Sequence, residues 1–126
     1  MILALKIICG LYAALMTLMG VNWWFDFPRM AESQSISVLS SLGQNNLNAD
    51  MGALFFGTAI IIVLGLRARR SYWLLSAAVL MLVAAAGRLY SYAILGYDGA
   101  TLVPLVFEVA SAGILWFTHT KISQSA

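Results

Sequence analysis

Apart from Lys6 near the start of the chain, three charged residues sit in stretches otherwise fit for hydrocarbon: Arg88, Asp50 and Glu108. Arg88 lies in Leu80-Met81-Leu82-Val83-Ala84-Ala85-Ala86-Gly87-Arg88-Leu89-Tyr90-Ser91-Tyr92, which reads as the second half of a membrane-spanning helix. An arginine in hydrocarbon costs roughly 2.5–3.5 kcal/mol on insertion scales, so something must answer it. One guanidinium with two carboxylates can hold the polar head of a ligand and move a proton, the default expectation for intramembrane charges. The same residues can equally form an ion-paired plug that fixes helix register. Two carboxylates and one guanidinium sum to minus one, which a low-dielectric site resists. Either water reaches the cluster or one carboxyl, expected to be Glu108, carries a proton.

The elements that hold these residues must be membrane helices. Hydrophobic residues make up 62% of the 126-residue chain and charged residues 10%, against roughly 45–50% and 25% in soluble domains. A net charge of +2 with no basic face excludes a nucleic-acid partner. One cysteine, Cys9, and one histidine, His119, exclude an internal disulfide, a CxxC pair and paired-histidine haem ligation. No nucleophile–base pair, metal set or phosphate loop is present, so no metal or cofactor is expected and the residues name no reaction. Residues 1–126 form a single all-α membrane domain.

Four spans are expected, at about 2–22, 46–66, 72–93 and 102–118. The first is apolar apart from Lys6 and Thr17 and has the ~20 residues needed to cross. It lacks an A-x-A-like exit, which argues for an uncleaved span over a signal peptide. Asn22-Trp23-Trp24-Phe25 closes it as an interfacial aromatic belt. Asp26 before Pro28 starts a short helix that Gly43 would stop, with Ala31, Val38, Leu39 and Leu42 on one face in the membrane interface; a plain polar loop is the alternative, because serine is only a middling helix former. Met51 to Leu66 is too short to cross alone, so the second span begins near Asn46 and draws in Asn48 and Asp50. Ser71-Tyr72-Trp73 opens the third, and Asp98-Gly99 makes the turn into the fourth. Ile122 to Ala126 is expected to fray. Arg67, Arg69, Arg70 and Lys121 fall on one side, which places both termini in the cytoplasm.

Depth counted at 1.5 Å per residue puts Arg88 at ~7–8 Å, Glu108 at ~9 Å and Asp50 at ~6 Å below the outer ends of their spans. The three charges therefore converge on one layer, with Asn48, Asn22 and Tyr92 as hydrogen-bond candidates. Ala49, Ala53 and Gly57 supply a small-residue ridge beside Asp50 for close helix approach. Ala77, Met81, Ala84, Arg88 and Tyr92 share a stripe of the third span, as do Pro104, Glu108, Ser111 and Leu115 in the fourth.

Asn48-Ala49-Asp50-Met51-Gly52-Ala53-Leu54-Phe55 resembles the N-x-R/A-D-x-G-G-x-F element of the domain-of-unknown-function 4345 family. Gly87-Arg88-Leu89, Asp98-Gly99 and Glu108 resemble that family's G-R-L, D-G and downstream glutamate. The likeness runs from the first span to the fourth. It departs at Leu47, where an arginine often stands, and at Ala53, where a second glycine is expected. These are small bacterial four-helix membrane proteins, broadly similar to DoxX-like proteins. The resemblance implies a multi-pass protein of the cell inner membrane with its site at Arg88, Asp50 and Glu108, and implies no activity.

The remaining features have plainer readings. His119 beside Lys121 fits a helix end, Cys9 a small hydrophobe, and the six methionines packing rather than copper. The arginine loop is first a topology signal and second a contact for acidic headgroups. Three functions follow. The first is a pocket for a lipid, a quinone or another small lipophilic molecule, held by Arg88, Asp50, Glu108, Asn48, Tyr92 and Asn22. The second is an accessory subunit of a larger membrane protein, or a homo-oligomer, with the charges purely architectural. The third, a transporter, ranks last because no inverted repeat or broken helix is visible.

Overall fold

A computed structural model describes residues 1–67 and 70–125 and contains five α-helices among them. They are α1 (Ile2–Phe25), α2 (Phe27–Ser33), α3 (Ser41–Gly65), α4 (Tyr72–Leu95) and α5 (Leu102–Gln124), with a 3-10 turn at Gly99–Thr101 before α5. Four of these, α1, α3, α4 and α5, are long and apolar enough to cross a membrane. They leave many large apolar side chains exposed, Leu3, Leu11, Val63, Val83, Ile94 and Val103 among them. Exposure of that kind implies a lipid bilayer around the bundle, because lipid is the solvent these faces fit. The chain is a multi-pass membrane protein.

The bundle is two well-packed helix pairs. α1 packs extensively on α3 and α4 on α5, the α3–α4 seam is narrower, and the α1–α5 seam is narrower still. Small residues explain the first pair. Gly20 leaves room for the Phe56 ring, and Gly52 for the Trp24 indole, so each helix offers one hole and one knob. The Trp24 and Phe56 rings then lie 4.7 Å apart, and the Trp24 indole donates to the Asn48 carbonyl at 3.0 Å. Gly65 performs the same service for Leu74 where α3 meets α4. The small residues expected to bring helices together, Ala49 and Ala53, are exposed instead, and a side chain on Gly57 would meet open space. Close approach uses the stripe one turn round from them.

The main core joins Cys9, Ala13 and Met16 to Ile62, Leu74, Met81, Leu115 and Ile122. Ile122 is buried, so the last turns of α5 pack rather than fray and the helix runs on to Gln124. A second cluster of Trp23, Phe27, Met30 and Ala31 lies where α2 folds back. Trp23 is therefore core, edge-on to Phe27 at 5.8 Å, and only Trp24 and Phe25 remain exposed at the end of α1.

The connection from α1 to α3 departs most from expectation. Pro28 does start a helix, but it ends at Ser33 and not at Gly43. Ser35 takes a left-handed φ of 55°, while Ile36 N–H reaches the Ala31 carbonyl and Ser35 N–H the Glu32 carbonyl. This is a Schellman stop with serine in the place usually held by glycine. Leu39 is fully exposed and Leu42 mostly so, so the face expected from Ala31 to Leu42 does not exist as one helix. α3 begins at Ser41, not near Asn46, because the Ser40 hydroxyl accepts from Gly43 N–H at 3.2 Å. That cap bond makes Gly43 part of a first turn instead of a stop. Arg69 and Ala126 lie outside the described residues.

Candidate functional site

Arg88 and Glu108 meet. Arg88 lies on α4 along the inward stripe of Ala77 and Met81, which are buried, while Glu108 shares the buried face of α5 with Ser111 and Leu115. The stripe spacing on two antiparallel helices brings the charges opposite each other. Arg88 Nε donates to both carboxylate oxygens of Glu108, at 2.9 and 3.0 Å. The arrangement differs from the usual fork, in which one oxygen would take an Nη proton. Neither Nη atom finds a hydrogen-bond acceptor among the described residues. The Glu108 side chain is 11% exposed and that of Arg88 36%, so the pair is closed on the carboxylate side and open on the guanidinium side.

Asp50 is not part of this pair. It is exposed on α3 and forms no ion pair within 4.0 Å among the described residues. The expected layer of three charges is thus two charges on α4 and α5 with the third elsewhere. The physical reason is the packing of α3, which turns Gly52 and Phe56 toward α1 and leaves Asp50 outside. The surplus negative charge that called for a protonated carboxyl disappears with it, since Arg88 and Glu108 alone sum to zero.

The other three candidates divide in the same way. Tyr92, one turn beyond Arg88, is hydrogen-bonded to the Thr101 hydroxyl at 2.6 Å and lies 5.4 Å from the Tyr97 ring. It ties α4 to the Asp98-Gly99 turn, where Asp98 Oδ1 accepts from Ala100 N–H. Asn48 belongs to the Trp24 contact, and its side-chain carbonyl is buried without a partner among the described residues. Asn22 lines a polar groove at the α1–α2 elbow with Asp26, Arg29 and Gln34. Arg88 and Glu108 therefore form one place, Tyr92 is engaged by the α4–α5 turn one helical turn away, and Asn22, Asn48 and Asp50 lie on the α1–α3 side of the bundle.

A cavity of about 250 Å³ opens along the thin α1–α5 seam. Ile8, Leu11, Tyr12, Phe107, Ser111 and Ile114 are among its lining residues, so its walls are almost wholly apolar. Tyr12 and Phe107 meet across it with ring centroids 5.5 Å apart, and the Cys9 thiol reaches the Thr118 hydroxyl at 3.4 Å. Ser111, one turn along α5 from Glu108, lines the groove, whereas Glu108 and Arg88 are not among its lining residues. Residue reasoning missed Tyr12, and it put Ser111 on the Glu108 stripe without assigning it to a site. A tyrosine in an apolar helix gives no signal until the helices are paired.

His119 Nδ1 lies 3.2 Å from the Ser71 hydroxyl and fastens the end of α5 to the start of α4. Among the described residues no three of His, Cys, Asp and Glu gather closely enough to hold a metal ion. What the arrangement offers is an apolar slot with a hydroxyl or two at its wall and, between α4 and α5, a neutral ion pair. A scan against protein-family models and searches of curated proteins and of solved structures found no match for this chain.

Proposed function

We propose that this small multi-pass protein binds a lipophilic molecule laterally, from the bilayer, in the α1–α5 groove. One observation carries the reading: an apolar cavity of about 250 Å³ is lined partly by exposed residues of two membrane helices, with Tyr12 and Ser111 as its polar side chains. Pockets for small molecules are mostly apolar with a few convergent polar groups, and this one has Tyr12 and Ser111 in that role. The resemblance of the Asn48–Phe55 and Gly87–Leu89 segments to the domain-of-unknown-function 4345 family supports an inner-membrane setting. The basic residues Arg67, Arg70 and Lys121 support cytoplasmic termini, which puts the Arg88–Glu108 end of the bundle toward the periplasm and α2 in the outer interface.

The test is purification of the full chain in native lipid, followed by mass spectrometry of what stays bound. A lipophile near one per chain in the wild type, and absent from Ile114→Trp, is the expected result. Ile114→Trp fills the slot from its wall and is 38% exposed at the native residue, so folding is retained. Equal recovery from both proteins ends the proposal.

A second reading rests on Asp50. A carboxylate exposed on a membrane helix, with no cation beside it among the described residues, fits a larger membrane protein that covers α3. In that case Asp50→Asn releases a stoichiometric protein partner, and the groove variant does not.

A further inference from the structure

We infer that the α1–α5 groove and the polar groove at the α1–α2 elbow are two ends of one site, which takes a phospholipid with a zwitterionic, primary-ammonium head group. The chain half of this site rests on the lateral-groove reading, and the head half stands on the elbow by itself.

The two grooves share one stripe of α1. Ile8, Tyr12 and Leu15 line the apolar groove, and Met19, Asn22 and Asp26 line the polar one. These six residues follow one another at alternating steps of four and three, the spacing of a single helix face. The apolar groove therefore lies at the middle of α1, and the polar groove continues it at the helix end. From Tyr12 to Asp26 the stripe rises about 21 Å at 1.5 Å per residue. One leaflet with its head groups is about 20–22 Å deep, half of a bilayer of ~40–45 Å. Polarity also changes along the stripe in the order in which it changes along a lipid. Ile8 and Leu15 are aliphatic, Met19 is a thioether, Asn22 an amide and Asp26 a carboxylate.

The elbow selects the head group. Its cavity of about 290 Å³ carries one anion, Asp26, and one cation, Arg29. The two charges are 3.9 Å apart, too far for a hydrogen bond, and their side chains are 50% and 84% exposed. Each can therefore meet a ligand. A guanidinium fits the oxygens of a phosphate, and an ionised carboxylate accepts from an ammonium N–H. A head group that carries both leaves the elbow neutral. Phosphatidylglycerol offers the phosphate but sets no cation against Asp26. Phosphatidylcholine brings a cation without an N–H to donate. Asn22 and Gln34 stand on the same wall and supply amide donors for phosphate or ester oxygens.

The experiment uses the full chain in dodecyl maltoside, a detergent with neither phosphate nor amine. Phosphatidylethanolamine, phosphatidylcholine and phosphatidylglycerol of identical chains are titrated, and bound lipid is read by native mass spectrometry. Phosphatidylethanolamine is expected to bind at least about tenfold tighter than either competitor. Asp26→Asn, at a position whose side chain makes no cap bond to α2, removes that preference. Arg29→Gln weakens all three lipids alike, and so does Ile114→Trp, which fills the chain half. Soluble glycerophosphoethanolamine separates the two sources of this head chemistry. Its failure to displace the lipid at equal concentration supports the single site. Displacement at equal concentration assigns the elbow to a free head group and overturns it. If the three lipids bind the wild type alike and Ile114→Trp abolishes them, the groove reading stands and the head-group assignment falls. A preference lost in Asp26→Asn but untouched by Ile114→Trp places the chains outside the groove and overturns the single site. If none of the three lipids binds, the single site falls as well.

Discussion

At the scale of single residues, the ion pair is asymmetric in a way that separates its two partners. Glu108 is almost enclosed and, among the described residues, depends on Arg88 for its only hydrogen bonds from a side chain. Arg88→Leu therefore strands a buried carboxylate, and breaking such a pair costs about 3–5 kcal/mol. The value here belongs at the low end, because the arginine side is partly open. Replacing both residues by leucine removes the stranded charge, and stability is expected to return to within ~1 kcal/mol of the wild type. Equilibrium unfolding in detergent checks both values. A double variant as unstable as the single one would mean that the pair itself holds the helices. Asp50→Asn, by contrast, is expected to change stability by less than ~0.5 kcal/mol in the isolated chain, as exposed substitutions usually do.

At the scale of elements, the α1–α3 seam depends on two glycines and two aromatic rings in reciprocal positions. A Cβ at Gly52 would fall on the Trp24 indole, and one at Gly20 on the Phe56 ring. Gly52→Ala is expected to displace the indole from the Asn48 carbonyl and cost about 1–3 kcal/mol, the usual price of overpacking. Gly10→Ala on the same helix pair meets nothing within 4 Å and is expected to be neutral or slightly stabilising. Comparison of the two in one unfolding assay isolates packing from helix propensity. The α1–α5 seam has no such interlock. It relies on the Tyr12–Phe107 and Cys9–Thr118 contacts, and a groove remains between them.

At the scale of the whole molecule, four crossing helices return the chain to the side on which it began. With the basic residues near the α3–α4 connection and at Lys121, both ends are expected in the cytoplasm. A fluorescent-protein fusion at the C-terminus should therefore be bright in cells, while a cysteine placed at Asp98 should react with an impermeant thiol reagent from outside. Labelling only after the membrane is broken would reverse the orientation. The two-pair architecture also predicts where the bundle yields first. The thin α1–α5 seam should show faster exchange or crosslinking than the α1–α3 seam, as expected for regions with few buried contacts.

Several features were legible from the residues alone. Apolar runs of the right length specify membrane helices because backbone groups in lipid must be satisfied within each segment. The spans, the Asp98-Gly99 turn and the inward stripes of α4 and α5 needed only periodicity and length. The meeting of Arg88 with Glu108 followed from two such stripes on neighbouring antiparallel helices. Tertiary structure decided what periodicity leaves undetermined in helices that are apolar all round: which face of α3 turns inward. Gly52 and Phe56 won that face because Trp24 and Gly20 fit them, and this left Asp50 outside with Ala49 and Ala53. Local hydrogen bonds at Ser35 and Ser40 fixed the ends of α2 and α3, where composition pointed to Gly43. The groove belongs wholly to the tertiary level, since it exists only because two tight helix pairs meet along one loose seam.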